Sequence, residues 1–82
     1  MKVQVRYFAS LREALGPGEL LEIEGSTVAA LRDHLLARGG SHAEVLARGR
    51  AVRCAVNQTM GDETTVLLEG AEVAFFPPVT GG

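Results

Sequence analysis

The sequence predicts an α+β fold: a mixed four- to five-stranded sheet with one main helix laid across one face. Three observations carry this expectation. Segments near both ends alternate apolar and polar residues with a period of two, as half-buried strands do. One segment, from Val28 onward, repeats its apolar residues at helical spacing. The chain has 82 residues, which suits a single domain with one modest core. A domain of that size buries roughly 60–65% of the surface its unfolded chain exposes.

Taken in order, Val3, Val5 and Tyr7 alternate with Lys2, Gln4 and Arg6, a strand with one buried face. Phe8 to Leu15 holds good helix formers and stops at Gly16-Pro17-Gly18, so a short helix or turn and then a loop is expected. Leu20 to Glu24 reads as a second strand, with Leu21 and Ile23 on one face and Glu22 and Glu24 on the other. Ser26 or Thr27 caps the main helix by accepting first-turn N–H groups. Val28, Leu31 and Leu35, with Leu36 beside them, form its apolar stripe, and Arg32 and Asp33 fall off it. Gly39-Gly40 ends that helix, and Ser41 to Arg48 forms one further helical turn. Ala51 to Val56 is a third strand, Asn57 starts a turn, and Thr64 to Leu68 is a short edge strand. Glu72 to Phe76 is the last strand, ended by Pro77-Pro78 because proline donates nothing to a ladder. The first and last strands are expected as parallel neighbours at the sheet's centre, since both are strongly apolar. This order is the β-grasp arrangement, with a domain over residues 1–76 and a tail over 77–82.

Composition removes several function classes. Apolar residues make up 46%, charged residues 22%, and the net charge is −2, with both signs dispersed. No basic patch points to nucleic acid, and no apolar run of about 18 residues points to a membrane span. The start of the chain lacks a signal-peptide core, and a lone Cys54 forms no internal disulfide. A cytoplasmic protein is expected. Cys54 reads as a small core residue. His34 and His42 lack zinc-ligand spacing, so no metal site is assigned. Gly16-Pro17-Gly18 lacks the lysine and hydroxyl of a phosphate loop. Arg48-Gly49-Arg50 is too short to argue for nucleic acid.

The tail is the candidate for chemistry. Pro77-Pro78 favours an extended backbone that projects away from the sheet, and six residues from Pro77 reach at most roughly 20 Å. Gly81 and Gly82 make the end thin enough to thread into a narrow site on another protein. The plain alternative is a frayed terminus.

Glu72-Val73-Ala74-Phe75-Phe76-Pro77-Pro78-Val79-Thr80-Gly81-Gly82 resembles the C-terminus of the molybdopterin synthase small-subunit family, the ubiquitin-like sulfur-carrier subunits of the molybdopterin-converting factor. Tyr7 to Glu13, Thr27 to Arg32 and Val56 to Thr59 resemble that family's first strand and turn, helix start and central turn. The chain departs at Gly70-Ala71-Glu72, where the family often has Gly-Asp-Glu, and over Met60 to Thr65. The resemblance implies that the Gly82 carboxylate is the reactive group. A ubiquitin-activating-enzyme-like adenylyltransferase would adenylate it with ATP and Mg²⁺, and a sulfur donor protein would convert it to a thiocarboxylate. The tail, Pro77, Pro78, Val79, Thr80 and Gly81, would then carry the sulfur into a large subunit. There, two transfers to a cyclic pyranopterin precursor build the dithiolene of the molybdenum cofactor. The resemblance further implies a heterotetramer of two small and two large subunits, catalytic residues on the large subunit, and no permanently bound cofactor on this chain.

Phe76 has the opposite parity to Val73 and Phe75, which puts it on the face the helix leaves uncovered. Phe8, Met60 and Phe76 therefore read either as a partner surface or as core. The family's corresponding positions contact the large subunit, which favours the surface. Three other functions share the fold and tail: a sulfur carrier for thiamine, tRNA thiolation or cysteine synthesis; a ubiquitin-like modifier joined to target lysines; and an interaction module with an inert tail. Phe75-Phe76-Pro77-Pro78 argues against the first. Lys2, the sole lysine, leaves little for self-linked modifier chains.

Overall fold

The computed structural model describes residues 1–78. β1 (Lys2–Tyr7) leads into α1 (Ala9–Leu15) and returns antiparallel as β2 (Gly18–Glu22). α2 (Val28–Leu36) and α3 (Gly40–Leu46) follow, then β3 (Arg53–Val56), β4 (Thr59–Gly61) and β5 (Glu72–Phe76). The sheet order is β2-β1-β5-β3-β4. β1 and β5 pair in parallel, with β5 at the centre, and every other pairing is antiparallel. This is the expected β-grasp with its central parallel pair.

The core lies between one sheet face and the helices. Val3, Val5 and Tyr7 of β1, Val73 and Phe75 of β5, and Cys54 of β3 meet Leu11, Val28, Leu31, Leu35 and Leu46. The α2 stripe is the one the spacing predicts. Thr27 rather than Ser26 is the cap, its Oγ1 accepting from Ala30 N at 3.2 Å. Leu31 is wholly buried. Leu31→Ala is expected to cost about 2–5 kcal/mol through the cavity it leaves, read as a lower urea midpoint with an unchanged slope. A loss under about 1 kcal/mol is what an exposed site would give and would contradict this packing.

Two expectations are corrected. Arg32, expected off the apolar stripe of α2, is buried alongside it and only 6% exposed. Its Nε donates to Leu46 O at 2.7 Å and its Nη2 to Ala47 O at 2.8 Å, while Glu63 lies 3.7 Å from Nη1. The last carbonyls of a helix lack partners within it, and here the planar guanidinium fork supplies them for α3. Thr64 to Leu68 is not an edge strand of the sheet. Its one bridge joins Val66 to Thr27. Thr65 O and Glu63 O accept from Val28 N and Ala29 N, the first free amides of α2. The segment has a strand's alternation, with Leu67 buried and Val66 and Leu68 exposed, but it serves the helix terminus.

The edge strand is instead β4, joined to β3 through Asn57 and Gln58, both at positive φ (50° and 70°). That geometry matches the twist of a tight hairpin. Asn57 also ties the turn to β5: its N–H donates to Glu72 O, and its Oδ1 accepts from Glu72 N. β2 begins earlier than expected, at Gly18. A Cβ there would sit 2.3 Å from the Val5 carbonyl oxygen, so only glycine allows this approach at φ 155°. Gly39 turns the chain at φ 69°, and Gly40 opens α3 rather than closing α2.

Glu19 on β2 fastens the hairpin to the helices. It accepts from the Tyr7 hydroxyl at 2.9 Å and from Arg38, and His42 Nε2 lies 3.2 Å away. Burial pushes its carboxyl upward, but the hydrogen bonds from Arg38, Tyr7 and His42 outweigh that and hold it below the ordinary 4.5. A carboxyl depressed by folding stabilises fully above its unfolded pKa, and that contribution is lost as pH falls through the folded value. Glu19→Gln is therefore expected to cost about 1–3 kcal/mol at neutral pH. The gap to the parent chain should begin to narrow below about pH 4.5 and go on shrinking as pH falls through the lower folded value, as measured by urea unfolding at pH 7 and pH 3. A gap that is equal at both pH values would remove the carboxylate from the account.

Candidate functional site

With the helices on one side, the sheet's other face is open. Alternation puts Gly18, Leu20 and Glu22 of β2 on it, with Lys2, Gln4 and Arg6 of β1 and Glu72, Ala74 and Phe76 of β5. The register continues the row across the sheet: Arg6 beside Ala74, Ala74 beside Ala55, and Ala55 beside Met60. Phe76 is in register with Arg53. Phe8 follows β1 in extended conformation, and its N–H donates to Phe75 O at 3.1 Å, which sets it next to Phe76.

The three residues expected on the partner surface thus share one face. Phe8 is 42% and Met60 60% exposed, while Phe76 is half-buried between its neighbours. Ala55 and Ala74 form a shallow apolar floor between Phe76 and Met60, so large side chains frame small ones. That shape suits a protein surface better than a small molecule. The Arg6–Glu72 ion pair, at 3.4 Å, borders the floor. Leu20, 64% exposed, adds an apolar residue on the outer strand. It was missed as a site residue, although its parity with Glu22 was available in the sequence.

The tail leaves from the same end as Phe8 and Phe76. Pro77 is half-buried and borders a hollow with Leu11 of α1, Val45 of α3, and Arg50, Ala51 and Val52 before β3. Pro77, directly after Phe76, is thereby set against the helix side at the end of β5. Pro78 is the last residue described; Val79, Thr80, Gly81 and Gly82 lie outside the described residues.

The comparison with protein families matches the ThiS family over residues 5–82. The chain belongs to the ThiS family. It is 40% identical over 81 residues to the molybdopterin synthase sulfur carrier subunit of Haemophilus influenzae, covering 98% of this chain and 99% of that one. It is 43% identical over 82 residues to the protein of the same name in Escherichia coli, again covering 98% and 99%. Among solved structures it resembles one described as a protein–protein complex of subunits 1 and 2 of the molybdopterin-converting factor from Helicobacter pylori. There the TM-score is 0.70, the identity 26%, and the coverage 100% of both chains.

The remaining candidate groups of this ThiS-family chain are structural. Cys54 is buried, and burial pushes its thiol above the ordinary range, away from the thiolate a nucleophile needs. His42 is engaged with Glu19, and His34 is exposed on α2. Among the described residues no three His, Cys, Asp or Glu side chains gather as a metal-binding group. Nor is any helix there long and apolar enough to cross a membrane.

Proposed function

We propose that this chain is the sulfur-carrier subunit of a molybdopterin synthase, working in the cytoplasm, with the Gly82 carboxylate as its reactive group. The reading is supported chiefly by the near-complete match to two curated carriers of that name at 40% and 43% identity. An adenylyltransferase supplies ATP and Mg²⁺. The carboxylate attacks the α-phosphate, pyrophosphate leaves, and a carboxyl with a poor leaving group becomes an acyl-adenylate. Sulfide-level sulfur delivered by a donor protein then attacks the acyl carbon, the bond to AMP breaks, and a terminal thiocarboxylate is left. The tail carries this sulfur into the large subunit, where it is given to cyclic pyranopterin monophosphate, and a second charged carrier completes the dithiolene.

In this reading the domain is a handle and the tail is an arm. Phe8, Met60 and Phe76 dock the handle, and Pro77 and Pro78 aim the arm. The relative solved as a complex of subunits 1 and 2 supports a large-subunit partner, and two of each subunit form the assembly. The test is mass spectrometry of the chain made together with its native partners. The expected product gains the mass of one oxygen-to-sulfur exchange at its C-terminus. A ladder of larger conjugates would identify a protein modifier instead, and an unchanged terminus would leave only an interaction module.

A further inference from the structure

We infer that the fold keeps the chain's own amines away from its activated end, so that acyl transfer goes to a partner and not back onto the carrier. This rests on the proposed function in one respect, that the C-terminus becomes an acyl donor. An activated carbonyl is open to any free amine. The N–C bond forms, the bond to the leaving thiol or AMP breaks, and the amine's proton passes to solvent. A lysine tethered close to such a carbonyl acts at an effective concentration of about millimolar or more.

Of the eight lysine and arginine residues, seven are arginine and only Lys2 is lysine. The cations around the root of the tail are all guanidinium. Arg53 is in register with Phe76. Arg50 shares a hollow with Pro77. Arg12 lies one turn into α1 after Phe8, its backbone N–H bonded to Phe8 O. All three side chains are exposed. A guanidinium keeps its proton above pH 12 or so and offers no lone pair, whereas an ammonium releases a reactive amine much more readily. The root therefore carries positive charge without a nucleophile.

Lys2 is at the opposite end of the sheet. β1 and β5 run parallel, and Gly70 N donates to Lys2 O at 2.8 Å, so Lys2 is level with residue 70. Phe76 is six residues further along, about 20 Å at the rise of a strand. The four residues after Pro78 span at most about 14 Å. The other amine, the Met1 ammonium, is at the same distant end. It pairs with Glu22 at 2.7 Å and donates to Ile23 O at 3.1 Å. The Glu22 hydrogen bond raises its pKa, which lowers the free-amine fraction.

The test uses the full chain with its C-terminus converted chemically to a thioester of 2-mercaptoethanesulfonate. It is incubated dilute at mildly alkaline pH and followed by intact mass. The parent chain should hydrolyse to the linear acid with both amines free. Arg50→Lys and Arg53→Lys should each yield a product one water lighter than the acid and resistant to hydroxylamine. Its rate should be independent of protein concentration and at least about tenfold above the parent's, as a millimolar local amine implies. Glu69→Lys, which adds a lysine beside Lys2, should behave like the parent. Parent chain closing on Lys2 or Met1 as fast as these variants would overturn the inference, as would Arg50→Lys and Arg53→Lys closing no faster than Glu69→Lys. Because the thioester is made without partner enzymes, these results stand apart from the oxygen-to-sulfur exchange that tests the carrier function.

Discussion

Deleting Gly82 is expected to abolish sulfur transfer and leave the melting temperature of the domain where it was. Among the described residues the buried core is built from residues between Val3 and Phe75, and neither Pro77 nor Pro78 belongs to it. Stability should therefore not register the loss. Transfer should, because the reacting atom is set by where the chain stops. Shortening by one residue withdraws the carboxyl by about 3.5 Å, and a misplacement of only 1 Å can cost about 100-fold. Extending the chain past Gly82 should be equally damaging, since each added residue carries the terminal group about 3.5 Å too far. Gly81→Val keeps the carboxylate but adds a β-branched side chain that narrows the backbone angles and thickens the end. It should impair transfer at the threading step. The assay is conversion of the pyranopterin precursor by purified large subunit with chemically thiocarboxylated carrier. Full activity from a carrier lacking Gly82 would remove the proposed reactive group.

Local patterns foretold the frame of this fold, and long-range partners decided what they missed. The α2 stripe was legible because Val28, Leu31 and Leu35 recur at the helical period, and β1 and β5 because their apolar residues alternate. Arg32 was misread because a charge on a helix ordinarily faces water. Its partners are carbonyls 14 and 15 residues away, and no local period records them. The alternation at Thr64 to Leu68 was real, but a period of two names no pairing partner, and here the partner is the start of α2. The hairpin at Asn57 and Gln58 was half legible. Asn57 is a common turn residue, but Gln58 at positive φ carries none of the glycine signal that marks a two-residue turn. At the site, the parity of Phe76 against Phe75 placed it correctly. The row Ala74, Ala55, Met60 depends on the register of three strands, which no single segment specifies.

Phe76→Asp is expected to leave the free domain folded and to weaken binding to the large subunit by about 30-fold or more, a loss of roughly 2 kcal/mol or above. The side chain is half-buried on the open face, so the isolated domain still gives it partial access to water. Arg53, in register beside it, offers the new carboxylate an opposite charge. The domain should lose about 1 kcal/mol or less, the scale of substitutions outside a packed core. If the face docks as proposed, the same position closes into an apolar contact, and an aspartate there must give up its water with no apolar gain in return. Phe8→Asp and Met60→Asp should weaken binding in the same direction, since both residues frame the same floor. Leu68→Asp serves as the control. Leu68 is 74% exposed but lies outside the sheet, so its replacement should leave affinity within about twofold, as for residues outside an interface. Calorimetric titration against the large subunit, with thermal unfolding of each free variant, separates docking from folding. Unfolding of the free Phe76→Asp domain would make Phe76 a core residue. Affinity unchanged in all three face variants would move the docking surface off the open sheet.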